Sequence, residues 1–88
     1  MDYLLFTFPN CHKCDEMKSF FLDRGLAKQE YDVTGKDGRF KIRDYIHNVK
    51  RDEKGSIILP TLLCLEGGQV AAVLNTRAEF EAWLQSRV

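Results

Sequence analysis

The 88-residue sequence predicts an α/β fold in the order β-α-β-α-β-β-α, with a mixed four-stranded sheet flanked by three helices. Three observations carry this expectation. An apolar, β-prone run from Tyr3 to Phe8 gives way to a helix-like stretch. A second β-like segment, Gln29 to Val33, follows that helix, and a helical crossover makes the two strands parallel. Glu66-Gly67-Gly68-Gln69 then joins two apolar runs by a tight turn, which makes the last pair antiparallel.

Each element has its own signal. Tyr3-Leu4-Leu5-Phe6-Thr7-Phe8 is almost continuously apolar, as expected of a central strand covered on both faces. Pro9 and Asn10 break it, with Asn10 read as the N-cap of a helix from Cys11 to about Asp23 and Gly25 placed to end that helix. Cys14, Met17, Phe20 and Phe21 form its buried face. Gly35, Asp37 and Gly38 read as a turn, after which Ile42, Tyr45, Ile46 and Val49 follow the spacing of a second helix. Arg51 to Gly55 reads as a charged loop before an apolar strand-like run from Ile57 to Leu65, and Val70 to Leu74 completes the hairpin. Thr76 and Glu79 fit a capping box for a last helix that buries Phe80, Trp83 and Leu84.

Composition bounds the function. At this length residues 1–88 form a single domain with room for one modest core. Thirteen basic and thirteen acidic residues cancel, which argues against nucleic acid or an anionic membrane as a partner. No segment approaches the roughly 18 consecutive apolar residues of a membrane span, so a soluble protein is expected. The N-terminal residues lack the pattern of a signal peptide, and a cytoplasmic, reducing location is the default expectation. Three cysteines are too few for a disulfide scaffold there, which turns attention to catalytic or metal-binding use.

Cys11-His12-Lys13-Cys14 carries the chemistry. A helix start presents free backbone N–H groups and a positive dipole end, both of which favour thiolate over thiol. Cys11 is read as the attacking nucleophile and Cys14, one turn further in, as the resolving thiol. His12 and Lys13 add positive charge beside them and are candidate substrate-contacting residues. Cys64, in an apolar strand, is read as a small core residue. His47 and the cations Arg39, Lys41 and Arg43 are read as a solvated helix face, the last three with the option of holding a glutathione carboxylate.

The cysteine pair after the first strand, Leu59-Pro60-Thr61 before the third and Gly67-Gly68 before the fourth resemble the thioredoxin superfamily, in particular its short glutaredoxin-like branch. The resemblance covers essentially the whole chain. It implies a thioredoxin-like fold and a cis peptide between Leu59 and Pro60 opposite the cysteines, with the backbone of Leu59 free to pair with a substrate strand. Leu59 and Pro60 thereby become expected substrate-binding residues. The middle pair His12-Lys13 matches neither major branch, and Leu74-Asn75-Thr76-Arg77 stands where glutaredoxins carry their glutathione-binding Gly-Gly and acidic residues. No carboxylate lies in Tyr3 to Phe8, where thioredoxins bury an acid.

The function expected from these features is a monomeric thiol-disulfide oxidoreductase that holds no cofactor and no metal. Its partners would be a disulfide-containing protein or glutathione, with glutathione or a partner reductase as electron donor. Two other classes stand beside it. A metal-binding or delivery module would use Cys11 and Cys14 with further ligands such as His12 and Cys64 or a second chain. A redox-inert domain would bind a peptide strand along Leu59-Pro60.

Overall fold

The computed structural model of the chain describes residues 1–87. Its elements follow the predicted order: β1 (Asp2–Thr7), α1 (His12–Arg24), β2 (Gln29–Asp32), α2 (Lys36–Arg43), β3 (Thr61–Glu66), β4 (Gln69–Leu74) and α3 (Arg77–Ser86). The strands lie in the order β2-β1-β3-β4. β1 runs parallel to β2 and antiparallel to β3, and β3 is antiparallel to β4. β1 and β3 are the two central strands, with neighbours on both sides and cover on both faces, and they bury the consecutive runs Leu4 to Thr7 and Thr61 to Leu65.

Alternation along the central strands divides the interior into two layers. On one face Leu5, Leu62 and Cys64 pack with Met17, Phe20 and Phe21 of α1 and Phe80 of α3. On the other, Leu4, Phe6, Leu63 and Leu65 meet Ile42 of α2 and Val49 beyond it. The first layer is rich in aromatic rings. Phe80 has its centroid 5.5, 5.1 and 5.0 Å from those of Tyr3, Phe20 and Phe21.

Local signals close most elements as expected. Gly25, at φ 63°, ends α1 through its N–H to the carbonyl of Leu22, while the N–H of Leu26 reaches that of Phe21. Gly67 and Gly68 both have positive φ, the requirement of the two-residue turn that matches strand twist. The capping box at α3 is complete, with Glu79 N–H donating to Thr76 Oγ1 at 3.1 Å and Thr76 N–H donating to Glu79 Oε1 at 3.1 Å.

Three expectations are corrected. The N-cap of α1 is Cys11, whose sulfur accepts from the N–H of Cys14, and Asn10 instead takes the left-handed conformation at φ 57°. Asparagine tolerates that region, and it turns the chain sharply enough to bring the cysteine to the cap.

The second helix begins at Lys36, within the stretch read as a turn, and ends at Arg43. Gly38 sits inside this helix because its backbone lies against the end of β2; a Cβ there would collide with the backbone carbonyl of Asp32. Tyr45, Ile46 and Asn48 follow in turns whose N–H groups bond three residues back. Those turns still direct Val49 into the core, so the apolar spacing reports burial without a continuous α-helix.

The strand read from Ile57 to Leu65 is shorter and begins at Thr61. Pro60 has no N–H to give a ladder, and the peptide before it is cis. Ile57 makes only an isolated bridge with Arg51.

Candidate functional site

The site lies where the C-terminal end of β1 meets the N-terminal end of β3. Phe6 is opposite Thr61 in the antiparallel register, so extending that register by two places sets Leu59 level with Phe8. The chain from Phe8 crosses Pro9 and Asn10 and enters α1 at Cys11. Phe8, 40% exposed, lines an open cleft with Ile57, Ile58, Leu59 and Asp52. The adjacent loop is held by its own bonds: Asp52 Oδ1 accepts from the N–H groups of Lys54 and Ser56, at 2.9 and 3.0 Å.

Cys11 and Cys14 are set for a disulfide by geometry. Their Cα atoms are 5.2 Å apart and the two sulfurs lie at disulfide distance. Cys11 Sγ accepts from the Cys14 N–H at 3.1 Å, which places the sulfur at the N-terminus of α1 beside one of its free first-turn donors. A thiolate gains more from that donor and from the dipole than a neutral thiol does. Access separates the partners. Cys11 retains 8% of its surface and Cys14 only 1%, so Cys11 is the more accessible of the two.

His12 and Lys13 flank the pair from outside. The His12 side chain is 89% exposed, with Nε2 3.3 Å from Glu16 Oε1, one turn along the helix and not on the cysteines. Lys13 lines a small cleft between the starts of α1 and α3, with Glu16, Thr76 and Arg77. Arg77 itself is engaged by Glu81 and Asp23 at 3.0 and 3.7 Å. Leu59 and Pro60 thus share the strand-end region with the cysteines, whereas His12 and Lys13 stand on the outer surface of α1. His47 is exposed in the turns after α2. Arg39 donates to the carbonyl of Thr34, and Arg43 lies over the exposed ring of Phe40.

Cys64 does not join the cysteine pair. Cys64 is fully buried in β3, opposite Tyr3 and Ala72. Among the described residues no group of three or more His, Cys, Asp or Glu is arranged to hold a metal ion. Among the described residues no buried carboxylate lies beneath the pair either: the buried polar side chains there are Thr7, Thr61 and Asn75.

Burial pushes the Cys64 thiol up to about 12, with Arg87 opposing the shift only weakly. Desolvation penalises its thiolate. In native, reduced protein at neutral pH an alkylating reagent is expected to label Cys11 and leave Cys64 untouched, with Cys64 modified only after denaturation; peptide mass mapping reads the result. The sign of the associated stability follows. The folded value exceeds the ordinary 9.0, so the contribution is complete below that pH and is lost as pH rises toward 12.

Asn75 escaped the sequence reading. It is 7% exposed, and its side-chain amide donates to the carbonyls of Ile58 at 3.2 Å and Pro60 at 2.9 Å. An asparagine between a strand and a helix cap reads as a turn residue, and nothing local shows that it reaches 15 and 17 positions back along the chain.

A mixed sheet with the cysteine pair at the end of its central strand, a cis-proline across from it and three flanking helices defines a thioredoxin-like fold. Comparison with solved structures agrees. The crystal structure of the thioredoxin-like protein BC3987 superposes with a TM-score of 0.63 at 20% identity, over 94% of this chain and 99% of that one. A threonine-to-alanine variant of the same protein gives 0.64 at 20% identity, over 96% and 99%. No family model and no curated protein sequence matches the chain. No helix among the described residues is long and apolar enough to cross a membrane.

Proposed function

We propose that this protein is a glutaredoxin-like thiol-disulfide oxidoreductase that reduces protein or small-molecule disulfides in a reducing, cytoplasmic setting. The observation that supports it most is the placement of Cys11 Sγ at the α1 cap, on the Cys14 N–H and within bonding reach of Cys14 Sγ. The Cys11 thiolate attacks one sulfur of a substrate disulfide, forming a mixed disulfide and expelling the other sulfur as a thiolate. Cys14 thiolate then attacks Cys11 Sγ, releases the second substrate thiolate and leaves the Cys11–Cys14 disulfide. Two electrons pass to the substrate. Two equivalents of glutathione, oxidised to its disulfide, or a dithiol reductase restore the pair. The protein itself needs no bound cofactor for these steps, and it works as a monomer.

The experiment is to incubate Cys14→Ser with a peptide disulfide and with oxidised glutathione. A mixed disulfide at Cys11 is expected to accumulate, seen as the added mass of one substrate half, because the resolving thiol is gone. Protein that stays unmodified, or is modified only at Cys64, overturns the reading.

A further inference from the structure

We propose that Asn75 is a positioning residue that aims the backbone of Leu59 at an extended substrate segment, so that the protein prefers peptide disulfides to small ones. This deepens the oxidoreductase reading and rests on it for the identity of the ligand. The geometry is specific. Asn75 donates to the carbonyls on either side of Leu59, those of Ile58 and Pro60, and Thr61 Oγ1 donates to the Ile58 carbonyl as well, at 2.6 Å. Both flanking carbonyls are therefore turned inward. Among the described residues neither the N–H nor the carbonyl of Leu59 has a hydrogen-bond partner, and Leu59 lines the cleft with Phe8.

The clamp is itself anchored. The backbone N–H of Asn75 donates to Glu79 Oε1 at 2.8 Å, and the same oxygen accepts from Thr76 in the capping box. The start of α3 is thus tied through one buried amide to the segment that precedes β3. An unpaired backbone donor and acceptor beside an apolar cleft form an edge to which an extended chain adds as a strand. A small disulfide has no backbone to pair and gains nothing from that edge.

The test separates binding from turnover. An extended apolar peptide, with its single cysteine replaced by serine, is titrated onto the oxidised wild type, Asn75→Ala and Asn75→Ser while the Leu59 amide is followed by NMR. Asn75→Ser keeps a polar group at the strand end but cannot span both carbonyls, and it serves if the alanine variant does not fold. The wild-type Leu59 amide is expected to shift on binding, and Kd to rise about tenfold in the variants, in which no side chain spans the Ile58 and Pro60 carbonyls.

With the cysteine form of the peptide as a disulfide, KM should rise by the same factor while kcat stays within about twofold, and turnover of hydroxyethyl disulfide should be unchanged. An unshifted Leu59 amide in the wild type, an unchanged Kd in the variants, or equal losses on both substrates overturns the proposal. If the wild type binds the peptide but turns over neither disulfide, the oxidoreductase reading fails and the clamp stands or falls on Kd alone.

Discussion

Cys11→Ser is expected to lower disulfide reduction by more than about a thousandfold, the scale on which loss of an enzyme's nucleophile is read. A serine hydroxyl stays protonated at neutral pH and has no neighbouring base here, since among the described residues no carboxylate is buried beneath the pair and His12 is turned to Glu16. The variant should fold normally. Serine is a good N-cap, and its hydroxyl accepts from the Cys14 N–H as the sulfur does. Turnover of a peptide disulfide with glutathione as reductant measures the effect, with Cys64→Ala as the control that should retain full activity. Residual activity within tenfold of wild type would falsify the assignment of Cys11.

Phe80→Ala is expected to lower unfolding free energy by about 3–5 kcal/mol, as truncation of a fully buried phenylalanine does. The ring is 0% exposed and makes tilted or edge contacts with Tyr3, Phe20 and Phe21, so it joins α3 to α1 and to the sheet. Neighbouring rings are too rigid to close the space it leaves. Domains of this kind are typically stable by only about 5–15 kcal/mol, so the variant should lose much of its folded population under mild denaturant. Urea unfolding followed by far-UV circular dichroism reads it. Phe40→Ala, at a ring that is 56% exposed, should change stability by no more than about 0.5 kcal/mol. Similar effects at the two positions would mean that Phe80 is not the keystone of that layer.

The parts of the fold visible in the sequence are those written in short-range chemistry. Tyr3 to Phe8, Gly25, Gly67-Gly68 and the Thr76/Glu79 pair each specify their element within a few residues. The start of α2 was hidden because Gly38 is there for a reason set 6 residues away and across an interface, the carbonyl of Asp32, and glycine otherwise signals a turn. Tyr45 and Ile46 kept a helical rhythm while lying in tighter turns, and Val49 beyond them serves the same core face.

The cysteine pair was legible from its spacing, and its capping role was not, since asparagine is the commoner N-cap and Asn10 precedes it. Leu59 and Pro60 were reached through the resemblance. Asn75 could not be reached at all, because its partners are fixed only once α3 and β3 are packed side by side.

The outermost strand has a further consequence. β2 is only four residues long, and Glu30 and Asp32 stand exposed along it at the rim of the sheet. Two molecules meeting rim to rim along β2 would pair only short strands and would have to desolvate charged side chains, Glu30 with its Lys18 and Lys28 partners among them, which resists runaway stacking into fibrils. On the opposite rim β4 is backed by a register shift at Cys64/Leu65, and such bulges bend a strand away from the flat shape that stacking needs. Both borders of the sheet are thereby guarded against joining to a second copy.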